Sequence, residues 1–570
     1  MRNKHIRRLL AGVSFLLLVY SSGCKKTELV SGTTDVKNIY SYLTSRAEFS
    51  EFVKVIDKAG LQSFLNVYGS NTFFAPVNAG VTAYMKEISK SIDQLNEKEA
   101  KELVTLHIIQ DTLNTINFNN GKLATPTMFG QYLVAGVTFK DTSATYTINK
   151  QAVILEPNIK VGNGYIHTLN EVIKPARLTL AKMIEQDPAL SIFSQALKET
   201  GWYDSLNVVN NPDTTRRYLT VLAETNTVLD AAGIKSFADL KNKYSKANAN
   251  NGVPQDPKDS RDSLNIYVKY HVLLDAKYQT DLLSAASHPT VIPGEVILAR
   301  ADEQDVRLNY LELQSSVEQG FLLDRVKSDN SASNGALHYT RSHFTAQARS
   351  PYPIYWDVCE TIPELRKMPT IFRKADFNFV PNSLSEYKWP SDRLSYNWNY
   401  IRGSSTYWGD YLRIPLGFNY DLRDSWGELK TPLILKGKYK VWVCYLRQKN
   451  STNNPPFPTI FSFDGRKLER LFDFADQLPS GLNTGELEAI GYKRYMATNA
   501  TTLSTSVDLV SKYLGTIEVG NTGRYTVRLD CSPGLQGQNQ NNLDMIHFIP
   551  EGMNQVKRRF LSNGTQVDIQ

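Results

Sequence analysis

The sequence predicts a multidomain fold: two copies of an α+β module, then an all-β sandwich. Three observations carry this. At 570 residues the chain is too long for one hydrophobic core, and its length suggests about three or four domains. A set of landmarks recurs, in the same order, over two successive segments of the first 344 residues. From about Asp376 the composition turns aromatic-rich, with short alternating strands separated by glycine turns and little helix.

The chain begins with a basic stretch, Arg2, Lys4, Arg7 and Arg8, followed by the apolar run from Leu9 to Tyr20. A run of about a dozen residues suits a signal-peptide core and is too short to cross a bilayer comfortably. It ends in Ser21-Ser22-Gly23-Cys24, which resembles a bacterial lipobox. The resemblance implies removal of residues 1–23 and acylation of Cys24, with 24–36 as a flexible tether. Lys25 and Lys26 follow the cysteine, in place of the aspartate at the second mature position that would argue for inner-membrane retention. The expected location is therefore the outer membrane, lipid-anchored and exposed at the cell surface.

The rest of the composition narrows the classes. Hydrophobic residues make up 41 % of the chain, and no apolar run after Tyr20 is long enough to span a membrane. The net charge of +7 includes the basic leader and comes with charges interspersed. Without a basic stripe, nucleic-acid binding is not expected. Apart from Cys24, the cysteines are Cys359, Cys444 and Cys531, an odd number without metal-ligand spacing. Cys444 and Cys531 lie on two candidate strands of one domain, and both a disulfide and two buried thiols fit that placement.

The repeat defines the first two modules. Thr72-Phe73-Phe74-Ala75-Pro76-Val77-Asn78 reads as a buried strand that proline stops, with Asn78 placed to cap the following helix. Asn163-Gly164 forms a turn into the alternating strand Tyr165–Leu169. Phe49–Leu65 aligns without gaps on Leu190–Leu206, as amphipathic helices ending at Gly60 and Gly201. Thr72–Asn78 aligns on Thr220–Asn226, His107 with Asp111 on His271 with Asp275, and Asn163–His167 on Asn334–His338.

The Thr72–Asn78 and Asn163–His167 boxes, with Leu106-His107 between them, resemble the conserved boxes of the fasciclin (FAS1) domain. The resemblance implies a compact β-sandwich wrapped by short helices, used in adhesion and extracellular binding, with no catalytic centre. Tandem domains are expected at 37–175 and 178–344. The second copy departs from the pattern: Glu224 replaces Pro76, and Asn242–Ser263 is a polar insertion expected to form a mobile loop. His107, His167, His271 and His338 sit on apolar elements without a Cys or carboxylate at ligand spacing, which points to hydrogen-bonded structural histidines.

Proline-rich 345–375 reads as an extended linker. Beyond it, the strands Gly437–Arg447, Phe461–Phe463, Leu514–Val519, Gly523–Leu529 and Leu543–Pro550 suggest a β-sandwich over 376–560. Its paired Gly-x-Tyr-x-Val strands and terminal Leu543-Asp544-Met545-Ile546 strand resemble galactose-binding-like jelly-roll modules. That implies glycan binding or protein docking. The candidate ligand surface is aromatic: Trp389, Tyr396, Trp398, Tyr400, Tyr407 and Trp408 would stack on sugar rings, with Asn397, Asn399, Asp410 and Arg413 bonding hydroxyls. Taken singly, each aromatic also fits the core or the seam with the preceding module. Because side chains alternate faces along a strand, some of the set should reach solvent.

No nucleophile elbow, phosphate-binding glycine loop or zinc motif appears, so no catalytic residue, metal or cofactor is assigned and an enzyme is the minority reading. The leading function is a non-enzymatic surface lipoprotein that binds extracellular glycan and supports an outer-membrane transporter complex in polysaccharide uptake. The alternative is an adhesion or assembly protein that grips a protein partner through its fasciclin domains.

Overall fold

The computed structural model describes residues 36–569 except 68, 119–120, 141–142, 248–251, 254, 314–315, 348, 391–393, 399–404, 418–423, 448–457 and 533–540. Cys24, the leader and almost all of the tether lie outside the described residues. Among the described residues, no helix is long and apolar enough to cross a membrane.

The chain divides into two compact units, the first formed by residues up to 174 apart from 119–123. In that unit helix α1 (Ser50–Lys58) buries Phe52, Val55 and Ile56, the apolar stripe of its amphipathic pattern. Strand β1 (Asn71–Pro76) is buried along its whole length and leads into α2 (Asn78–Glu87). Helix α3 (Glu97–Leu106) starts at an Asn96 capping box and runs into the short β2 (Ile108–Ile109). Then come β3 (Val134–Lys140), β4 (Ser143–Ile148), β5 (Ala152–Val161) and β6 (Gly164–Leu169). The strands run in the order β2-β1-β6-β5-β4-β3, with β1 and β6 parallel and the other neighbours antiparallel.

Single polar side chains hold that parallel pair to its surroundings. Asn163 accepts a hydrogen bond from Ile39 N (2.9 Å) and donates to the carbonyls of Leu65 and Val67, so one amide ties three chain segments together. Gly164 cannot carry a side chain: its φ is +144° and a Cβ would overlap the backbone of Asn71. Asn78 does not cap its own helix. Its Oδ1 accepts from Glu51 N at 2.9 Å and so caps α1.

The second unit opens with the same bonds on the aligned residues. Helix α4 (Ser191–Glu199) is followed by β7 (Leu219–Ala223), α5 (Ser263–Tyr270), β8 (Val272–Leu274) and β9 (Gly335–Tyr339). Strand β7 pairs parallel with β9 and antiparallel with β8, as β1 does with β6 and β2. Asn334 accepts from Leu180 N and donates to the carbonyls of Leu206 and Val208. Asn226 accepts from Ile192 N. Thr72 Oγ1 donates to Asp111 O, and Thr220 Oγ1 to Asp275 O, each at 2.7 Å. The described flanks of the polar insertion are tied down: buried Asp262 caps α5 and accepts from Ser245 Oγ at 2.7 Å, which corrects the mobile-loop expectation for those residues.

The four aligned histidines are buried and serve the backbone, as expected. His107 donates from Nδ1 to Leu103 O and accepts from Ile173 N at Nε2, so it is neutral. His271 keeps the first bond, to Tyr267 O, but its Nε2 faces Glu224 Oε1 at 3.1 Å. Glu224, which takes the place of Pro76, also receives bonds from Tyr267 Oη, His343 Nδ1 and Phe344 N. Burial works against its charge, yet the bonds from His271 and His343 more than offset it and hold the carboxyl down at about 2. The sequence expectation that these histidines lack a carboxylate partner is corrected here, because Glu224 and His271 are 47 residues apart and meet only through β7–β8 pairing.

Two antiparallel sheets complete the second unit. Strands β10 (Ile354–Asp357), β12 (Ser395–Trp398), β13 (Asp410–Ile414), β15 (Gly437–Leu446), β17 (Leu509–Val519) and β19 (Asn541–Pro550) belong to one. Strands β11 (Tyr387–Lys388), β14 (Trp426–Lys430), β16 (Thr459–Phe463) and β18 (Thr526–Cys531) belong to the other. They face across one core, with Tyr439, Val441 and Val443 from the first meeting Leu429, Phe461 and Leu529 from the second. Residues 354–365, read as linker, are part of this sandwich: β10 pairs with β19, and Trp356, Ile362 and Leu365 are in the core. Cys444 and Cys531 lie in different sheets and, like Cys359, are buried and form no disulfide among the described residues.

Burial holds His107 and His167 down to about 4 from the ordinary 6.5. The unfolded chain takes up protons that the folded one refuses between those values. Stability is therefore complete above pH 6.5 and falls as pH drops toward 4, by on the order of 3 kcal/mol per histidine. Imidazole NMR titration should find both rings neutral at pH 5, and denaturant unfolding of the first unit should weaken between pH 7 and 4.5. Rings that titrate near 6.5 would contradict this.

Candidate functional site

The aromatic segment folds over a group of acids. Strand β19 is buried at all ten positions, so both of its edges need backbone partners. Strand β15 covers one edge. The other is shared: β10 pairs from Phe548 to Met545 and β13 from Leu543 to Asn541. The C-terminal end of β10 thus meets the N-terminal end of β13 opposite Asp544. On the β15 side the register also shifts here, Cys444 pairing with Met545 and Tyr445 with Leu543, so that Asp544 is a bulge residue.

Three aspartates converge at this handover. Asp357 ends β10, Asp410 begins β13, and Asp544 is the bulge. They are 7 %, 1 % and 1 % exposed. Asp357 Oδ1 accepts from the N–H groups of Cys359 (3.0 Å) and Glu360 (3.2 Å). Asp410 Oδ2 accepts from Tyr396 Oη at 3.0 Å. Asp544 Oδ2 accepts from Tyr495 Oη (2.8 Å) and Tyr407 N (3.1 Å). Ligand atoms of Asp357, Cys359 and Asp410 lie within 4.8 Å of one another.

The nearby cation is Arg373, with Nη2 3.4 Å from Asp357 Oδ2 and 2.7 Å from Glu360 Oε2, and Nε 3.8 Å from Asp410 Oδ2. Its guanidinium lies 3.9 Å from the Trp408 ring centroid. Both residues have left-handed backbone, φ +55° for Arg373 and +59° for Trp408, a conformation that costs bulky side chains about 1–2 kcal/mol each. Gly564 lies against the indole so closely that a Cβ there would overlap it. Strain of this kind persists only where surrounding contacts enforce it.

Electrostatics follows from burial. Loss of hydration pushes Asp357 up to about 6, and Arg373 only partly opposes that. Burial also drives Asp410 and Asp544 well above the carboxylate range, and the charges of neighbouring aspartates add to the shift. The Cys359 thiol is raised by the same causes in the same order.

The predicted ligand surface is therefore largely internal. Trp389, Tyr396 and Tyr407 are buried in the sandwich or its flanking cluster, and Asp410 and Asn397 are buried as well. Trp398 and Trp408 remain half-buried. Tyr400 and Asn399 lie outside the described residues. Alternation along β12 did not expose Tyr396, whose Oη accepts from Arg373 N at 2.8 Å, and Trp408 lies between Arg373 and Gly564. Asp357, Cys359, Arg373 and Asp544 were missed: 187 positions separate Asp357 from Asp544, and no local spacing links them.

An open concavity lies elsewhere in the second unit. A cleft of about 620 Å³ runs between Ser284–Pro289 and the β11–β14 edge, lined by Ser287, Glu386, Lys388, Lys430, Arg524 and Tyr525. Arg524 forms a bidentate pair with Glu386, at 3.0 and 2.8 Å. The lining mixes charged and hydroxyl groups with a similar amount of apolar surface, among it Pro289, Val296 and Leu429.

Residues 47–175 match the family model of the Fasciclin domain. That segment is a fasciclin domain. The module is a non-enzymatic binding or adhesion unit. Over 168 residues the chain is 29 % identical to transforming growth factor-beta-induced protein ig-h3 of Sus scrofa, a match that covers 29 % of this chain and 23 % of that protein. Among solved structures, the FAS1 domain pair of the insect cell adhesion molecule Fasciclin I is 18 % identical, over 52 % of this chain and 97 % of that one, with a TM-score of 0.24. A family 35 carbohydrate binding module from Clostridium thermocellum is 12 % identical, over 35 % of this chain and 98 % of that one, with a TM-score of 0.15.

Burial separates the aromatics by role. Trp389→Ala should cost about 3–5 kcal/mol in stability, and Trp398→Ala distinctly less. Urea unfolding of the two variants measures the difference, and equal losses would contradict the assigned burial.

Proposed function

We propose that this chain is a surface lipoprotein, anchored through Cys24, in which two fasciclin domains carry a galactose-binding-like jelly-roll that binds extracellular glycan. The observation that carries the reading is the repeated bonding scheme. Asn163 and Asn334, Asn78 and Asn226, and Thr72 and Thr220 each make equivalent contacts, which supports a second fasciclin domain over 178–344 beside the one at 47–175. Two such modules hold a ligand-binding domain away from the membrane or dock it to a partner. The sandwich takes in residues from 354 onward, with 376–560 as its main body.

The glycan site in this reading is the cleft rather than the aromatic set. Lys388, Lys430 and Arg524 border it with Glu386, Ser287 and Tyr525, a lining that supplies hydrogen bonds to hydroxyls and charge for acidic sugars. The ligand then passes to an outer-membrane transporter complex for polysaccharide uptake.

Polysaccharide arrays and affinity gels with the purified protein test this. We expect binding to at least one polysaccharide, weakened about tenfold, or ~1.4 kcal/mol, by Lys388→Ala combined with Tyr525→Ala. No binding to any polysaccharide, or unchanged binding in the variant, would overturn the glycan reading. Capture of a matrix or host protein in its place would favour adhesion through the fasciclin domains. Separately, Cys24→Ser should release the protein from the membrane fraction; retention there would count against the anchor.

A further inference from the structure

We propose that the handover between β10 and β13 binds one divalent transition-metal cation of the zinc class, held by Asp357, Cys359, Asp410 and Asp544. The inference is independent of the glycan reading, because it concerns the buried cluster and not the cleft.

Four observations converge. Donor atoms of Asp357, Cys359 and Asp410 already lie within 4.8 Å of one another. Ligands around a tetrahedral zinc are about 3.5 Å apart, so a contraction of about an ångström completes that part of the shell. Asp410 Oδ1 and Asp544 Oδ1 are buried carboxyl oxygens without a hydrogen-bond partner among the described residues, on side chains 1 % exposed. Such atoms are costly to bury unless something ligates them. Asp544 adjoins that trio: its backbone carbonyl accepts from Val358 N at 3.3 Å, between Asp357 and Cys359, and its Oδ2 accepts from Tyr407 N at 3.1 Å.

The backbone accounts for the convergence. The edge of β19 changes partner at residue 544 on one side and carries a bulge there on the other, so the Asp544 side chain is released from regular pairing. Bulges commonly redirect side chains into sites in this way.

Charge then selects the ligand. Among the described residues, three buried carboxyl groups and a buried thiol face the one guanidinium of Arg373, a donor set that a cation can ligate by displacing protons. Glu360, at 37 % side-chain exposure, is solvated and stands outside this set. A divalent ion that ligates these groups displaces the protons they hold to solvent, and its two positive charges offset the thiolate and carboxylates so formed. Calcium requires six to eight oxygens, whereas Asp357 Oδ1, Asp410 Oδ2 and Asp544 Oδ2 already accept hydrogen bonds, which leaves one oxygen per carboxyl and the Cys359 sulfur. Sulfur with carboxylate in a compact four-donor set suits zinc.

The full chain, stripped with chelator and freed of it, is to be titrated separately with Zn²⁺, Co²⁺ and Ca²⁺. Elemental analysis should find one zinc per chain, with a rise in melting temperature that Ca²⁺ does not reproduce. The cobalt form should show a near-ultraviolet thiolate-to-metal band, and Cys359→Ser should lack it. Asp410→Asn and Asp544→Asn, nearly isosteric, should keep the parent circular dichroism and lose about 100-fold or more in zinc affinity. Absence of stoichiometric zinc, equal zinc binding by both Asn variants, a response to calcium alone, or a cobalt form without the thiolate band would each overturn the proposal. Should an Asn variant fail to fold, the comparison of parent and Cys359→Ser cobalt spectra still decides it.

Discussion

The constraint on which the sandwich depends is the complete burial of β19. A strand with ten buried residues cannot leave backbone groups to water, so both of its edges must be paired. One partner, β15, spans a whole edge. The other edge is covered by two strands from distant parts of the chain, and where they meet the ladder is interrupted at Asp544. Acids collect at that interruption because side chains there are not committed to an alternating core face. Tyr396, Tyr407 and Tyr495 turn polar groups toward them, while Arg373 and Trp408 close over the outer side in strained backbone conformations.

The same logic of buried polar groups runs through the two α+β modules. In the fasciclin domain a neutral imidazole, His107, joins a helix end to the chain leaving the module. In the second module Glu224 is inserted between the histidine and the exit, taking Phe344 N for itself. A neutral hydrogen bond has become a charged network of His271, His343 and Tyr267 around one carboxylate. Such a network tolerates the loss of Pro76 from the strand end, and it places more electrostatic demand on the second module than on the first.

Function divides between accessible and enclosed chemistry. The fasciclin domain is a binding or adhesion module, and the cleft beside β11 and β14 is open and lined by charged and hydroxyl-bearing residues. The aspartate cluster is of the opposite kind, almost entirely enclosed, with carboxyl groups that burial holds toward their protonated forms. Aromatic side chains that read as a sugar platform instead wall off these carboxylates. Trp and Tyr serve both purposes equally well, since each presents a broad apolar body with one polar tip.

Much of the fold was legible in order along the chain. The recurrence of Thr72–Asn78, His107 and Asn163–His167 at Thr220–Asn226, His271 and Asn334–His338 marked corresponding strands, and alternation located β15, β16, β17, β18 and β19 within a few residues. Those features are local: period, turn residues and repeated spacing are written in consecutive positions. The linker at 345–375 was misread because proline-rich composition hides a strand, β10, that pairs with β19 about 190 residues later. The aromatic set was misread because sequence shows which residues can stack and not what covers them. By itself, the sequence determined the repeated modules, the sandwich strands and the residue types available for binding, since these follow from short-range pattern. Tertiary structure alone decided that Asp357, Asp410 and Asp544 meet, that Glu224 reaches His271, and that Trp389 and Tyr396 are inside, because each depends on strand pairing between residues that nothing local connects.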